Sequence, residues 1–277
     1  VESLISQQTS FPFEIIVADN GCNTSTVRSV THMRQMMPTT IVTYAPFCDN
    51  VGYSMGNNMA VQLASKTSEW ILFLNDDLEL MPGFMHHMYN LARLHGKEET
   101  GAVGCKLVSE DGSRLLEAGS FVWQDSSTRG YGRDSTHPNA PEYSYARPVD
   151  YVSGACLLVD RQVFVDYGGF DSVSYKAYYE DTDLQMYINH VAEKRVWFQP
   201  LAVARHREHS GFGAKNAVNM MQESSKMFKA QWQHVLASQH LPQSELDSQQ
   251  LRARDARRNS FAVLFIDQLL PRKKLGS

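Results

Sequence analysis

The clearest structural signal in this 277-residue sequence is the run WILFLNDD at residues 70–77. An unbroken apolar stretch such as Trp70–Leu74 is typical of a strand buried on both faces of a parallel sheet. Asn75, Asp76 and Asp77 then stand at its carboxyl end, where carboxylates can hold a hard divalent cation that binds a diphosphate. Taken alone, the same residues fit an exposed turn equally well.

Outward from this run, short apolar stretches alternate with helical patterns. The predicted strands are Phe13–Ala18, Ile41–Tyr44 and Trp70–Leu74, and the predicted helices are Thr24–Met37, Gly52–Ser65 and Pro82–His95. This order predicts an α/β fold with a mostly parallel sheet covered by helices on both faces. Ligands bind at the carboxyl ends of strands in such sheets. Asp19 and Asn75–Asp77 both fall there.

The second half of the sequence is less regular. Its predicted strands are Ala102–Val108, Leu115–Trp123, Cys156–Val159 and Val196–Phe198, and its predicted helices are Arg161–Tyr167, Asp183–Ala192, Ala214–Leu236 and Ser244–Arg258. Asp125–Arg147 is rich in Ser, Gly, Pro and Tyr and shows no periodicity. We expect a long loop there, either a functional lid or a disordered segment.

Composition narrows the function. With 43% hydrophobic residues the chain can bury a substantial core, and its net charge of −4 argues against a nucleic-acid partner. The four cysteines form no CxxC pair, which argues against a disulfide framework or a zinc site and favours a reducing cytoplasm. No apolar stretch approaches the roughly 18 residues that a membrane span requires.

An acidic cluster, YYEDTD, occupies residues 178–183. Carboxylates so close together repel one another, and this repulsion can raise the pKa of one of them enough to make it a general base. Capping of the following helix by Asp181 or Thr182 is the more common explanation, and both can hold at once.

Two further segments carry weaker signals. In RHREHS at residues 205–210, a His after a strand-like segment can complete a metal site begun by carboxylates, although a His-rich surface loop is more common. In NVGYSMGNN at residues 50–58, the glycines allow close approach of a ligand and the asparagines supply donors and acceptors for a nucleotide. The latter is neither a P-loop nor a GxGxxG motif.

The order of these segments resembles the inverting glycosyltransferase family 2, whose members have the GT-A fold. The resemblance covers about residues 1–235 and is strongest from Gly154 through Gly168-Gly169-Phe170-Asp171 to Glu180–Leu184. The most similar members are rhamnosyltransferase-like enzymes that build bacterial surface polysaccharides. The implied fold is a Rossmann-like mixed, mostly parallel sheet with helices on both faces.

The resemblance implies a nucleotide-binding set. Asp19 corresponds to the residue that contacts the base. Asn50, Gly52 and Asn57 correspond to residues beside the nucleotide. Asp76 faces the ribose or the diphosphate.

The resemblance also implies a metal site and a base. Asp77 is expected to ligate Mn²⁺ or Mg²⁺, and His206 matches a late His that completes the metal site. Glu180 and Asp181 match the family's acid pair, so Asp181 is the expected catalytic base and Asp183 the second choice. Asn75 departs from the family pattern, which has Asp at that position.

The expected function is inverting transfer of a sugar from a nucleotide-diphosphate sugar to a hydroxyl acceptor. The acceptor is expected to be a glycan or lipid-linked glycan of a bacterial surface polysaccharide. The expected location is the cytoplasm, at the inner face of the membrane, with peripheral membrane association. A nucleotidyltransferase and a non-catalytic sugar- or nucleotide-binding module are the alternatives.

Three parts are expected along the chain. A GT-A domain spans residues 1–235 and lacks the family's first strand, because Val1–Gln8 reads as the tail of a helix already under way. Residues 236–260 form a helical linker. Residues 261–277 are similar to the first strand of a following GT-B-like domain, which would make the parent protein a multi-domain transferase.

Overall fold

The computed structural model describes residues 1–208 and 214–255, so the predicted strand at 261–277 lies outside the described residues. The helices are α1 Glu2–Ile5, α2 Thr24–Met36, α3 Tyr53–Val61, α4 Phe84–Glu99, α5 Arg161–Tyr167, α6 Glu180–His190, α7 Ala214–Gln239 and α8 Asp247–Ala253. The strands are β1 Ile15–Asn20, β2 Val42–Phe47, β3 Trp70–Leu74, β4 Leu78–Leu80, β5 Thr100–Ser109, β6 Leu115–Ala118, β7 Ser120–Val122, β8 Thr128–Gly130, β9 Arg147–Val149, β10 Cys156–Asp160 and β11 Arg195–His206.

The α/β class and the mixed sheet are confirmed. β1 and β2 pair in parallel as a two-stranded sheet. A seven-stranded sheet has the order β3-β10-β5-β11-β4, with β6 beside β5 and β9 beside β11. Within it β11 runs parallel to β5, whereas β10 is antiparallel to both β3 and β5. Among the described strands, no hydrogen-bonded pairing joins the β1-β2 sheet to the seven-stranded sheet.

Helices cover both faces of the large sheet, as the sequence predicts. β5 and β10 are buried along their whole length, and their alternate residues point to opposite faces. On one face Cys105 and Leu158 pack with side chains of α4. On the other, Ala102 and Leu157 pack with side chains of α5 and α6. Full burial of one such aliphatic side chain contributes about 1.5–3 kcal/mol, so these central strands anchor the fold.

The predicted loop at residues 125–147 is wrong in part. The segment contains β8, a 3₁₀ turn at Pro141–Tyr143 and the start of β9. Tyr131 and Arg147 are buried, and the Arg147 guanidinium lies 5.2 Å from the centre of the Tyr131 ring. Aromatic and cation–π packing therefore orders a segment whose Gly and Pro content suggested a lid.

The C-terminal helices pack back onto the same domain. α7 buries Ser224, Phe228, Trp232 and Leu236 at helical spacing. Ala253 of α8 is fully buried in the main core, so the described part of the predicted linker contacts the domain. None of the helices that the structure describes is both long and apolar enough to cross a membrane.

Candidate active site

Three of the predicted motifs meet at one short stretch of backbone, residues 152–155, which we call the VSGA segment. It connects β9 to β10. The Gly154 amide donates to Asp181 Oδ2 at 2.6 Å, and the Gly154 carbonyl accepts from the Tyr53 hydroxyl at 2.6 Å. The Ala155 carbonyl accepts from the Asn75 amide at 2.9 Å. Consecutive peptide units therefore hold the acidic cluster, the NVGYSMGNN segment and the end of β3.

Asp19 lies at the carboxyl end of β1 and is only 7% exposed. Its Oδ2 accepts hydrogen bonds from the Tyr44 hydroxyl at 2.7 Å and from the Asn23 amide at 2.8 Å. The hydrogen bond to Asp19 raises the pKa of Tyr44 to about 12, so Tyr44 stays protonated and keeps donating. This pairing fixes the Asp19 carboxylate at the strand end.

The side chain of Asn20 joins the end of β1 to the NVGYSMGNN segment. Its Oδ1 accepts from the Val51 amide at 2.8 Å, and its Nδ2 donates to the Gly52 carbonyl at 3.2 Å. Gly52 has φ +83° at the start of α3, a conformation that favours glycine. Asn50 is exposed, and its side-chain oxygen accepts from the Gly52 amide at 3.0 Å.

The two asparagines of α3 differ in their contacts. Asn57 Nδ2 donates to the Tyr53 carbonyl of its own helix at 3.0 Å. Asn58, which was not among the predicted site residues, accepts from the Phe170 amide at 2.9 Å and donates to its carbonyl at 2.7 Å. Asn58 therefore anchors the Gly168-Gly169-Phe170 stretch to α3.

The two predicted metal ligands lie side by side. His206 Nε2 is 3.2 Å from Asp77 Oδ1, and the two side chains are 14% and 17% exposed. Their meeting follows from the sheet, because His206 ends β11 and pairs with Leu78 of β4. Asp76 is exposed. Within residues 1–208 and 214–255 no cluster of three or more His, Cys, Asp or Glu side chains forms a metal site.

The predicted helix capping by Asp181 or Thr182 is wrong. α6 begins at Glu180, and its N-cap is Tyr179, whose side chain makes no capping hydrogen bond. Tyr178 and Tyr179 both have left-handed backbones, with φ of +66° and +71°, and these start the helix earlier than the sequence suggested. The three acids therefore belong to the first helical turn.

Of the three acids in the cluster, Asp181 is partly exposed, whereas Glu180 and Asp183 are buried. Besides the bond from Gly154, its Oδ1 accepts from the amide and hydroxyl of Thr182 at 2.7 and 3.2 Å. Burial raises the pKa of Asp181, and these hydrogen bonds oppose the rise. Glu180 is 7% exposed, and its Oε2 has no hydrogen-bond partner among the described residues. Burial, and then the charge of Asp181, raise the pKa of Glu180 to about 8.

Asp183 has a structural environment. It is fully buried, and its carboxylate accepts from Trp232 Nε1 at 2.7 Å and from the hydroxyls of Tyr167 and Tyr175. Burial raises its pKa. These donors come from α7, from α5 and from the loop before α6, so Asp183 ties three parts of the chain together.

Two polar residues at the site carry no clear sequence signal. Glu117 of β6 is 7% exposed, and its Oε1 accepts from the Ser153 amide at 2.9 Å. Burial raises the pKa of Glu117 to about 7. Gln185 exchanges hydrogen bonds of 2.8 Å with both the amide and the carbonyl of Val152. A lone acid in a strand and a lone Gln in a helix are indistinguishable from surface residues until the fold is known.

A comparison with family models decides the identity. Residues 1–223 match the model described as glycosyltransferase like family 2. The chain belongs to this family. The match confirms that this family 2 chain is a glycosyltransferase, and it favours that function over the nucleotidyltransferase alternative.

Relatives of this family 2 chain act in glycan assembly. An N-acetylglucosaminyl-diphospho-decaprenol L-rhamnosyltransferase of Mycobacterium tuberculosis is 27% identical over 230 residues, which are 74% of this chain and 70% of the relative. The O-antigen biosynthesis protein RfbC of Myxococcus xanthus is 30% identical over 187 residues, covering 62% of this chain and 13% of that protein. Both support a place in polysaccharide synthesis.

The fold is shared with a solved glycosyltransferase. The crystal structure of GalNAc-T7 with UDP, GalNAc and Mn²⁺ superposes with a TM-score of 0.56 at 12% identity. The match covers 92% of this chain and 51% of that one. At this identity the similarity shows the GT-A fold alone.

Proposed function

We propose that this glycosyltransferase inverts the anomeric centre of a nucleotide-diphosphate sugar and uses Asp181 as its base. The VSGA segment is the observation that carries the proposal. Its Gly154 amide holds Asp181, and the next carbonyl holds the amide of Asn75, which opens the predicted diphosphate motif. One short stretch of backbone thus supports a base on one side and a leaving-group site on the other.

Accessibility and charge favour Asp181 over its neighbours as the base. Asp181 is partly exposed, whereas Asp183 is fully enclosed by Trp232 and two tyrosines. Amide and hydroxyl donors stabilise the ionised form of Asp181, and Glu180 lacks such donors on Oε2. Asp181 is therefore the carboxylate best placed to take a proton from the acceptor hydroxyl, with Glu180 as its acidic neighbour.

The proposed reaction is a single displacement. Asp181 accepts the proton of the acceptor hydroxyl, and the hydroxyl oxygen forms a bond to the anomeric carbon. The bond from that carbon to the diphosphate oxygen breaks on the opposite side, and the nucleoside diphosphate leaves. One displacement inverts the anomeric configuration.

Asp77 and His206 are the proposed ligands of a divalent cation. A carboxylate oxygen and an imidazole nitrogen that face each other at 3.2 Å form a donor set that suits Mn²⁺ better than Mg²⁺, which prefers oxygen donors. When bound, the cation supplies positive charge to the departing diphosphate.

The remaining predicted residues are assigned to the donor. The fixed carboxylate of Asp19 at the end of β1 is the proposed contact for the nucleotide base. The adjoining loop and the first turns of α3 contribute Asn50, Gly52 and Asn57, which are proposed to lie beside the nucleotide. Asp76, which is exposed, is assigned to the ribose or diphosphate.

The proposed acceptor is a hydroxyl of a lipid-linked glycan. The mycobacterial relative is named for transfer of L-rhamnose to an N-acetylglucosaminyl-diphospho-decaprenol. With such an acceptor, the proposed location of the reaction is the cytoplasmic face of the membrane, with peripheral association of the enzyme.

The test is nucleotide release from UDP-, GDP- and dTDP-sugars, with a polyprenyl-diphospho-sugar acceptor and either Mn²⁺ or EDTA. Asp181→Asn should lower kcat about 10²–10⁴-fold, the usual contribution of a general base. Asp77→Ala should lose the turnover that Mn²⁺ supports in the wild type. Asp134→Asn, which removes a carboxylate at an exposed position, is the matched control. Full activity of Asp181→Asn, or turnover indifferent to EDTA, contradicts the proposal.

A further inference from the structure

Glu117 is a buried carboxyl that borders the candidate active site without belonging to either acidic motif. Glu117 accepts from the Ser153 amide at 2.9 Å, and Asp181 accepts from the neighbouring Gly154 amide at 2.6 Å. Consecutive amides of the VSGA segment are thus held by carboxylates from different elements, β6 and α6. A shift of either carboxylate displaces the peptide unit that orients the other.

Other polar contacts make this segment stiff. Gln185 holds the amide and carbonyl of Val152, and Tyr53 holds the carbonyl of Gly154. β6 is buried along its whole length, so the Glu117 backbone has little freedom to adjust. The position of Asp181 is therefore set from the Glu117 side as well as from its own helix.

The two carboxyls also interact through their charges. The negative charge of Asp181 contributes to raising the pKa of Glu117, after burial, which is the larger cause. Within the described residues neither carboxylate forms a salt bridge with a Lys or Arg. The titratable and charged groups that face this pair are Glu180 of α6, Tyr53 of α3, Tyr151 after β9 and Arg133 after β8.

We propose that Glu117 is a positioning residue of this glycosyltransferase: it holds the VSGA segment that orients Asp181, and its negative charge strengthens Asp181 as a base. The inference rests on the proposed role of Asp181. An ionised Glu117 favours proton uptake by Asp181, because uptake removes one of two neighbouring negative charges. It also accepts a stronger hydrogen bond from Ser153 than a neutral carboxyl does.

The proposal has a pH signature. Because the pKa of Glu117 is raised to about 7, kcat of the wild type should rise through neutral pH as Glu117 ionises. Glu180, with a pKa near 8, should add a separate step at higher pH, and the three carboxyls titrate as a coupled group. A residue that only fills space contributes no such step.

The test uses kcat and donor KM from pH 5.5 to 9 for the wild type, Glu117→Gln and Glu117→Asp. Gln keeps an oxygen that accepts from Ser153 but cannot ionise. It should flatten the rise near pH 7 and lower kcat above that pH about threefold to tenfold, with donor KM changed less than twofold. Asp keeps the charge but is too short for the contact, so it should keep the pH step and lose kcat at every pH. Glu142→Gln, at an exposed position, is the control.

The outcomes separate this inference from the proposed function. If Asp181→Asn is inactive but Glu117→Gln has the wild-type pH profile, Glu117 has no positioning role and the base assignment stands. If Asp181→Asn is fully active, the base assignment itself fails. Should Glu117→Gln not fold, Glu117→Asp decides: wild-type kcat overturns the inference, and reduced kcat with the pH step retained supports it.

Discussion

At the scale of single residues, the first turn of α6 gives three neighbouring acids different environments. Successive helical residues are rotated by about 100°, so Asp181 and Asp183 point to opposite sides of the helix. Asp181 reaches the VSGA segment, and Asp183 reaches Trp232. Glu180 lies between them, buried with an oxygen that has no hydrogen-bond partner among the described residues. Asp181 is the acid of the three that faces the VSGA segment.

Gly154 is required by the close approach of Asp181. An added Cβ would lie 2.9 Å from Asp181 Cβ and 3.1 Å from the Tyr53 hydroxyl. Gly154→Ala should therefore displace Asp181, the proposed base, and lower kcat at least about tenfold, which is about 1.4 kcal/mol of transition-state stabilisation. Overpacking of this kind also lowers the free energy of unfolding by about 1–3 kcal/mol. Steady-state kinetics and chemical denaturation measure the two effects.

The control for this substitution is Gly21→Ala, because a Cβ added at Gly21 meets no atom within 4 Å. Its free energy of unfolding should be no lower than that of the wild type, because the added methyl group meets no clash and restricts the unfolded chain. Wild-type kcat for Gly154→Ala would show that Asp181 does not depend on this contact.

The sequence predicts some of these residues and misses others for a physical reason. The resemblance to family 2 pairs Asp77 with His206, and the two side chains meet at 3.2 Å because Leu78 of β4 pairs with His206 at the end of β11. Glu117 is a single acid in an apolar strand, LLEA, and its contact with Ser153 depends on tertiary packing alone. Local patterns contain no information about such a contact.

At the scale of elements, Asp183 joins α6 to α7 through Trp232. The Trp232 indole donates to Asp183 Oδ1 at 2.7 Å in a buried environment. Trp232→Phe removes this donor from a buried carboxyl and should lower the free energy of unfolding by about 1–3 kcal/mol beyond the packing loss. Because the indole donor stabilises the ionised carboxyl more than the protonated one, the extra loss should grow as pH rises and Asp183 ionises. Urea unfolding at a series of pH values measures it.

Trp197→Phe is the matched control. Trp197 is also buried, but its indole nitrogen has no hydrogen-bond partner among the described residues. The two substitutions remove the same atoms, so the difference between their unfolding free energies isolates the bond to Asp183. Equal losses for the two substitutions at every pH would show that the bond to Asp183 does not stabilise the packing of α7.

Strongly patterned elements are predicted well and irregular ones are not. β3 has the predicted bounds, Trp70–Leu74, because its apolar run is unbroken. The predicted strand Leu115–Trp123 is divided into β6 and β7, where Gly119 takes a φ of +71°. The antiparallel insertion of β10 between β3 and β5 depends on long-range pairing, which periodicity does not encode.

At the scale of the whole molecule, the two halves of the proposed site stand on different sheets. Asp19 belongs to the two-stranded sheet, whereas the VSGA segment leads into the large one. Side chains connect them: Asn20 binds the loop before α3, and Tyr53 of α3 binds Gly154. α3 and the loop before it therefore connect the end of β1, which carries Asp19, to the segment that holds Asp181.

The buried carboxyls make the stability of the whole fold depend on pH. Burial raises the pKa of Glu117 to about 7 and of Glu180 to about 8, above the value of about 4.3 expected for Glu in the unfolded chain. The folded state therefore holds protons that the unfolded state releases, so the free energy of unfolding falls as pH rises from about 4.3 to 8. Groups with lowered pKa, such as Asp171, are already ionised in this window and do not offset the fall.

We therefore expect the melting temperature to decrease between pH 5.5 and 8.5. The glutamine of Glu180→Gln cannot ionise, so this substitution should reduce that decrease by several degrees, since about 1 kcal/mol shifts the melting temperature of a domain this size by about 2–4 °C. Asp134→Asn, at an exposed position, should show the wild-type decrease. Thermal unfolding followed by circular dichroism measures all three. A Glu180→Gln curve parallel to the wild type would mean that Glu180 is ionised in the folded protein at neutral pH, and it would then be a second candidate base beside Asp181.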